Sequence, residues 1–220
     1  MFRVQLLMIK AFFLIFEPSV AWERVAQSRR GMAFILFLFL LPMLLIVAGV
    51  ESWGLITFGK WQPAYQKVRG FQLPEHLHEV VIFELAVFVL AIATVFIAAY
   101  VIKTISGTFR EKCSFQQAFT LVVYSLSPMF LLRLLDAVPA VHPGVTWTIG
   151  ITLTIWVLYQ GVPRILVPDP THAFGLYLST VIVMVLTTGL ARLLPGLYIL
   201  GMVDFHHSWL TQKFPALLGH

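Results

Sequence analysis

The sequence predicts an all-α membrane protein, a polytopic bundle of about five spanning helices that is preceded by amphipathic helices at the membrane surface. Hydrophobic residues make up 59% of the 220 residues, and charged residues make up only 11%. Soluble domains contain roughly 45–50% apolar and about 25% charged residues. Because the mean hydropathy is +0.88, a water-soluble fold would expose large apolar patches and aggregate. Lipid is the solvent that fits this composition.

Five segments have the length and composition of a spanning helix, which needs about 20 mostly apolar residues. The first contains the kink candidate Pro42, the second contains the acid Glu84, and the third contains Pro128 near its middle. Prolines are tolerated in such helices because neighbouring helices satisfy the carbonyl groups that they free. The predicted spans are residues 32–50, 80–102, 115–135, 145–166 and 173–194.

These spans divide the chain into three predicted parts. Residues 1–31 form cytoplasmic or interfacial helices, residues 32–194 form the five-span domain, and residues 195–220 form a short tail. The first surface helix, within residues 4–16, is too short to span a bilayer and carries Lys10, which favours an interfacial position.

A second surface helix is predicted to begin at Pro18, a residue that suits the first helical position. Val20, Ala21 and Val25 would form its one weak apolar stripe, and Arg24 would turn to water. This pattern is typical of a helix that lies on a membrane surface.

The distribution of lysine and arginine predicts that the N-terminus is cytoplasmic. With that orientation, nine of the 15 basic residues lie on the inner side and six on the outer side. Five spans then place the C-terminus outside. The nine inner residues are Arg3, Lys10, Arg24, Arg29, Arg30, Lys103, Arg110, Lys112 and Arg164.

The inner basic residues are predicted to attract anionic lipid headgroups. The formal net charge of +5 is typical of cytoplasmic loops in a membrane protein, so we predict no nucleic-acid partner. Each basic residue near an anionic surface contributes about 1 kcal/mol to binding. The residues predicted to face such lipid are Arg24, Arg29, Arg30, Arg110 and Lys112.

Four charged residues are predicted to meet at the outer end of the bundle. A carboxylate inside a span, such as Glu84, costs at least about 2.5 kcal/mol near the bilayer centre. Arg133 and Arg192 end the third and fifth spans on the same predicted side, and Asp136 follows one turn after Arg133. The hypothesis is that these four residues form one charged cluster. Its role would be proton, ion or lipid-headgroup binding, or else structural ion pairing and separate extension of the side chains to water.

Histidines on the predicted outer side suggest a metal site, with solvated loop histidines as the alternative. His76 and His78 precede the second span, and Asp204, His206 and His207 lie in the tail. Zinc accepts such ligands, but their spacing matches no recognised motif. We therefore predict no cofactor.

Hydroxyl groups mark two of the predicted spans. Tyr124, Ser125 and Ser127 precede Pro128 in the third span, and Thr148 and Thr152 share one face of the fourth. Such residues usually pack helices together, and the alternative is a polar transport path.

The sequence offers little for catalysis, so we predict that the protein is not an enzyme. It contains no Gly-x-Ser-x-Gly elbow, no His-Glu-x-x-His pair and no phosphate-binding loop. Cys113 lies beside Arg110 and Lys112, which are expected to lower the pKa of its thiol. On that side only His172 is available as a base.

Several short motifs around the spans resemble the Yip family, membrane proteins named for interacting with Ypt/Rab GTPases. The family has five spans, a cytoplasmic N-terminus and a short C-terminus on the far side. The motifs that carry the resemblance are Glu17-Pro18 and Trp22 before the first span, Phe115-Gln116-Gln117-Ala118 with Tyr124-Ser125 and Pro128 in the third, and Trp156, Tyr159 and Gly161 in the fourth.

The resemblance is to the bacterial branch of the family, which implies a bacterial inner (cytoplasmic) membrane. Eukaryotic members carry a long polar N-terminal domain and an Asp-Leu-Tyr-Gly-Pro signature, and this sequence has neither. Rab binding is therefore not implied. The first function hypothesis is a non-enzymatic membrane-organising or scaffold protein whose partners are membrane lipids and other membrane proteins. The alternative is a small transporter or channel with a polar site near Glu84, and the sequence does not indicate the oligomeric state.

Overall fold

The computed structural model describes residues 14–28, 30–58, 77–109, 113–138 and 141–199. These residues form helices joined by turns, and no strand occurs among them. Five helices are long and apolar enough to cross a membrane, which confirms the predicted fold class. These spans are Met32–Thr57, Phe83–Thr108, Phe115–Ala137, Pro143–Ile165 and Ala173–Leu193.

Two of the spans consist of several helical segments. Among the described residues, a helical stretch at residues 14–16 and one further helix precede the spans. Residues 1–13 and most of the predicted tail lie outside the described residues. The pre-span helix is Pro18–Ser28. The first span contains Met32–Ile35, the π-helical Leu36–Leu40 and Leu41–Phe58, and the third contains Phe115–Ser125, Ser127–Leu132 and the 3₁₀ segment Arg133–Ala137. The second span lies in Leu77–Thr108, the fourth is Pro143–Ile165 and the fifth lies in Ala173–Ile199.

The first span contains a π-helical turn directly before Pro42, the predicted kink site. Proline lacks a backbone N–H, and its ring clashes with the carbonyl group four residues earlier. The wider π turn accommodates this defect, and the Leu41 backbone N–H donates to the Leu36 carbonyl five residues back. The span thus stays helical through the proline.

The third span is the centre of the bundle. Every residue from 121 to 130 is buried, although the helix is interrupted at Leu126, immediately before Ser127 and Pro128. At its start, Ser114 and Gln117 form a reciprocal capping box that satisfies the first free N–H groups. This burial fixes the side chains in the middle of the span against their neighbours.

The pre-span helix packs one of its faces into the bundle. Trp22 is fully buried, and its indole Nε1 donates to the Val157 carbonyl in the fourth span at 2.9 Å. A Cβ atom at Gly161 would lie 2.6 Å from the Trp22 ring, so glycine is needed for this approach. Of the predicted apolar stripe, Ala21 and Val25 pack against the core, whereas Val20 is 40% exposed. The buried residues of this helix are Pro18 and Trp22.

The outward faces of the spans are apolar. On the second span, Val81, Leu85 and Val89 are exposed at intervals of four residues, and Leu178, Ile182, Leu186 and Leu190 repeat that interval on the fifth. Residues four apart lie on one helix face, so each stripe is a continuous apolar surface. Such stripes suit contact with lipid chains.

Candidate functional sites at the two ends of the bundle

Polar groups gather at the two ends of the bundle. One group, here called the charge cluster, consists of Glu51, Glu84, Arg133, Asp136 and Arg192. The other, here called the polar cavity, lies where the first and third spans begin and the fourth ends.

Two buried ion pairs form the frame of the charge cluster. Arg133, in the 3₁₀ segment that ends the third span, donates to Glu51 of the first span. Arg192 of the fifth span donates to Asp136, which also accepts a hydrogen bond of 2.5 Å from the Thr146 hydroxyl. The 3₁₀ turn thus supplies one residue to each pair. The first, third, fourth and fifth spans are joined through these contacts.

Glu84 is the unpaired member of the charge cluster. It is only 6% exposed, and neither carboxylate oxygen has a hydrogen-bond partner among the described residues. Its charge interacts with Glu51 and with Arg133. The cluster therefore contains three carboxyl groups and two guanidinium groups. One carboxyl group has no basic partner of its own, and such a group can hold a proton or accept a cation.

The structure brings the four predicted residues of this cluster to one end, but their pairing depends on a residue that the sequence analysis missed. Arg133 pairs with Glu51, which follows directly after the predicted first span. The predicted orientation puts Glu51 on the same side as Arg133. Glu51 is a carboxylate at the end of a predicted span on that side, so a search for counter-ions of Arg133 could have identified it.

The polar cavity has a volume of about 450 Å³. Its walls come from the pre-span helix and from the first, third and fourth spans. The described residues that line it are Val25, Ala26, Ser28, Arg30, Ile35, Ser114, Gln116, Gln117, Thr120, Tyr124, Arg164, Ile165 and Val167.

Two glutamine side chains connect the walls of the polar cavity. Gln116 donates through Nε2 to the Arg30 carbonyl at 2.9 Å, and Gln117 donates to the Ile165 carbonyl at 3.3 Å. Both glutamines lie in the first turn of the third span, so this turn joins the start of the first span to the end of the fourth. The cavity walls are therefore held by specific hydrogen bonds.

Tyr124 contributes to the cavity from the buried centre of the third span. Its ring contacts Trp22 edge-on at 6.2 Å between centroids and Phe39 at 4.6 Å. Its side chain also interacts with the charge of Arg30. Aromatic packing of this kind fixes the orientation of the phenol ring.

The remaining hydroxyl residues divide into buried and outward-facing groups. Ser125 and Ser127 are buried with Tyr124 inside the third span, which agrees with helix packing. Thr148 and Thr152 lie on the exposed face of the fourth span, and each hydroxyl donates to a carbonyl of its own helix. Within the described part of the chain, these two threonines therefore neither pack against another span nor line a path between the spans. The buried threonines of that span are Thr146 and Thr154.

The predicted basic residues are only partly described. Arg24 is exposed on the pre-span helix and lines a smaller cavity of about 90 Å³ that shares Arg30 and Tyr124 with the polar cavity. Arg29, Arg110 and Lys112 lie outside the described residues.

Four of the predicted metal ligands, His76, Asp204, His206 and His207, lie outside the described residues. The backbone of His78 lies in the first turn of Leu77–Thr108. In the part of the chain that the structure describes, no three His, Cys, Asp or Glu residues are grouped to hold a metal ion.

Cys113 differs from its prediction. Its pKa is raised from the ordinary value of a thiol, because burial disfavours the thiolate more than Lys103 and local hydrogen bonds favour it. The sequence analysis expected a lowered pKa from charged neighbours and did not foresee that the side chain is half-buried. A thiol with a raised pKa is a weaker nucleophile at neutral pH.

The fold defines a polytopic helical membrane protein with polar groups at both ends of the bundle. A family model, the Yip1 domain, matches residues 12–191. The chain therefore belongs to the Yip family, which confirms the resemblance noted in the sequence. No curated protein and no solved structure matches the chain.

Proposed function

We propose that this Yip-family protein is a non-enzymatic membrane-organising protein, which binds anionic lipid and other membrane proteins at the end of the bundle that carries the polar cavity. The observation that carries this proposal is the contrast between the two ends. At one end Arg133 and Arg192 are paired with carboxylates inside the bundle, whereas the other end has a cavity of about 450 Å³ lined by two arginines. Among the described residues, arginines that line an open cavity thus occur at the end opposite the charge cluster.

The proposed orientation places the polar cavity at the cytoplasmic face of a bacterial inner membrane. Support comes from the positive-inside bias of nine basic residues against six, and from Arg30, which lies two residues before the first span. Cytoplasmic leaflets carry anionic lipid, which attracts basic residues close to the membrane surface. The charge cluster would then face the outer leaflet.

A small transporter is the second candidate, and the unpaired Glu84 favours it. A cleft of about 40 Å³ between the second, third and fifth spans is lined by Arg133, Arg192 and Thr94. That volume suits a few water molecules at most. The rest of its lining is mainly apolar and includes Leu126, Met129 and Phe130, which lie in the buried stretch of the third span. These apolar side chains favour the membrane-organising function.

Affinity purification from native membranes in lipid nanodiscs tests the proposed function. We expect specific membrane proteins to copurify with the full chain. Neutralising Arg24 and Lys112 to glutamine should reduce their recovery, because both residues lie on the proposed cytoplasmic side. Neutralising Lys60 and Lys67 to glutamine is the matched control, since it removes the same charge from the proposed outer side.

The competing function has a distinct result in the same preparation. If no protein copurifies, and reconstituted vesicles show an ion or proton flux that Glu84→Gln abolishes, the membrane-organising function is wrong and the transporter is favoured. Equal recovery from both neutralised variants would show that the basic face does not recruit partners.

A further inference from the structure

We propose that the polar cavity is a binding site for a phosphate-bearing ligand, held by Arg30 and Arg164. This assignment rests on the proposed function and deepens it by naming the class of ligand. The sequence analysis expected only a general attraction between basic residues and lipid, and it did not connect Arg164 with Arg30.

The charges of the cavity favour an anion. Arg30 comes from the start of the first span and Arg164 from the last turn of the fourth, and no carboxylate occurs among the described lining residues. Glu23 approaches the Arg164 Nε at 3.8 Å from outside the lining. Its side chain is 61% exposed, so solvent screens most of that interaction. The cavity therefore keeps a positive potential.

The two guanidinium groups are held in place without a buried carboxylate. The Arg30 guanidinium lies over the Phe34 ring, with its central carbon 4.9 Å from the ring centroid. Stacking uses the face of the guanidinium, so the N–H groups that do not contact the Tyr124 hydroxyl stay available for hydrogen bonds. The Arg164 Nη1 donates to the Gln160 side chain at 2.7 Å, which fixes the direction of its remaining N–H groups. Planar N–H forks of this kind match the oxygens of a phosphate.

The size and position of the polar cavity indicate which phosphate-bearing ligands fit it. A volume of about 450 Å³ falls within the roughly 300–1,000 Å³ of small-molecule sites, so a phosphate and an attached polar group fit. The lining includes Ser114, which directly precedes the third span, and Ile165, which ends the fourth. The cavity thus lies at the end of the spans, where lipid headgroups are found. The hydroxyl and amide groups of Ser28, Gln116 and Thr120 supply a polar lining for the attached group.

The same chemistry has two sources, a phospholipid headgroup and a soluble phosphate ester. Native mass spectrometry of the detergent-solubilised full chain, loaded with phosphatidylglycerol or with phosphatidylcholine, measures retention of lipid. Calorimetric titration with glycerol 3-phosphate, in nanodiscs of phosphatidylcholine alone, measures the soluble ligand. We expect retention of phosphatidylglycerol in preference to phosphatidylcholine. Binding of glycerol 3-phosphate, with competition against phosphatidylglycerol, would identify the soluble ester as the source.

Variants of the two arginines decide whether the cavity is responsible. Loss of a charge-assisted hydrogen bond typically weakens binding by about tenfold or more, so Arg30→Gln and Arg164→Gln should each have an effect of that size. The matched control is Lys103→Gln, which removes one exposed charge near the same end of the bundle but outside the cavity. It should leave binding unchanged.

The conservative variants Arg30→Lys and Arg164→Lys keep the positive charge but lose the planar pair of N–H donors of the guanidinium group. They replace a glutamine variant that does not fold. We expect intermediate affinity from them. The proposal is overturned if wild-type protein binds neither probe, or if the arginine variants bind as well as Lys103→Gln. Copurification of membrane proteins is measured separately, so it can succeed while this assignment fails.

Discussion

Glu51 and Glu84 are buried in the same charge cluster, but they are expected to contribute differently to the stability of the protein. Glu51 is the counter-ion of Arg133. Glu51→Gln would therefore leave a buried guanidinium group without its ionised partner, a change that costs about 3–5 kcal/mol in buried pairs. We expect a loss of that order in the free energy of unfolding, measured by reversible denaturation in detergent micelles.

Glu84→Gln is the matched comparison, since it removes one carboxylate of the same size from the same cluster. Glu84 has no hydrogen-bond partner in the described structure, so the substitution removes an uncompensated buried group. We expect the free energy of unfolding to stay within about 1 kcal/mol of the wild-type value or to rise. A loss as large as that of Glu51→Gln would mean that Glu84 has a stabilising partner.

Cys113 offers a test at the opposite end of the bundle, because it is the only cysteine of the chain. Burial raises the pKa of its thiol, and only the thiolate is alkylated. At neutral pH we expect slower reaction with iodoacetamide than for an exposed cysteine. The rate should still be rising above the pH at which an exposed thiol has levelled off. Because the folded state binds this proton more tightly, the contribution of the thiol to stability falls as pH rises past its ordinary pKa.

The control for Cys113 is Thr171→Cys in a Cys113→Ala background, at an exposed position in the turn before the fifth span. Because this thiol is exposed and lies beside His172, its rate should level off at a lower pH than that of Cys113. Identical profiles at the two positions would show that burial does not affect Cys113.

At the scale of elements, the pre-span helix depends on a close approach between Trp22 and Gly161. A Cβ at Gly161 would also lie 2.9 Å from the Leu121 side chain. Overpacking of this kind typically costs about 1–3 kcal/mol, so Gly161→Ala should lower the free energy of unfolding by that amount. Adding Trp22→Phe, which removes part of the indole, should recover some of the loss.

Gly49→Ala is the control for this prediction, because a Cβ at Gly49 has no atom within 4 Å. Alanine favours helix over glycine by about 1 kcal/mol, so this variant should be neutral or more stable. Equal effects of Gly49→Ala and Gly161→Ala in a denaturation series would contradict the packing of the pre-span helix described above.

The spans were predictable because hydropathy is a local property of the sequence, whereas contacts between elements were not. The partner of Trp22 is the Val157 carbonyl, 135 residues away along the chain. The polar cavity depends on Gln116 reaching the Arg30 carbonyl, which is 86 residues away. The periodicity of the sequence does not indicate which distant residues will contact each other. Arg30 was therefore assigned to a general lipid-facing surface, and the cavity that it lines together with Arg164 was missed.

The rotation of each span about its own axis also could not be predicted from the sequence. When both faces of a helix are apolar, hydropathy does not say which face turns inward. Thr148 and Thr152 share one face of the fourth span and were expected to act together, and that face is exposed. Glu84 was predicted within the charge cluster because a buried charge is costly and therefore has few acceptable positions.

At the scale of the whole molecule, the sequence predicts an unequal division of the basic residues between the two sides of the membrane. The bias of nine inner residues against six predicts a cytoplasmic N-terminus, and five spans then place the C-terminus outside. Fusions of green fluorescent protein and alkaline phosphatase to each terminus measure this directly. We expect fluorescence from the N-terminal fusion and phosphatase activity from the C-terminal fusion.

Variants of the basic residues test whether loop charge determines this orientation. Replacing Arg29 and Arg30 with glutamine reduces the bias to seven against six, directly beside the first span, so part of the population should invert. Replacing Lys60 and Lys67 with glutamine raises the bias to nine against four, and the population should stay uniform. If both termini report the same compartment, the number of spans is even and one of the five apolar helices does not cross. If the two pairs of substitutions act alike, factors other than loop charge set the orientation, and the cytoplasmic position proposed for the polar cavity loses its main support.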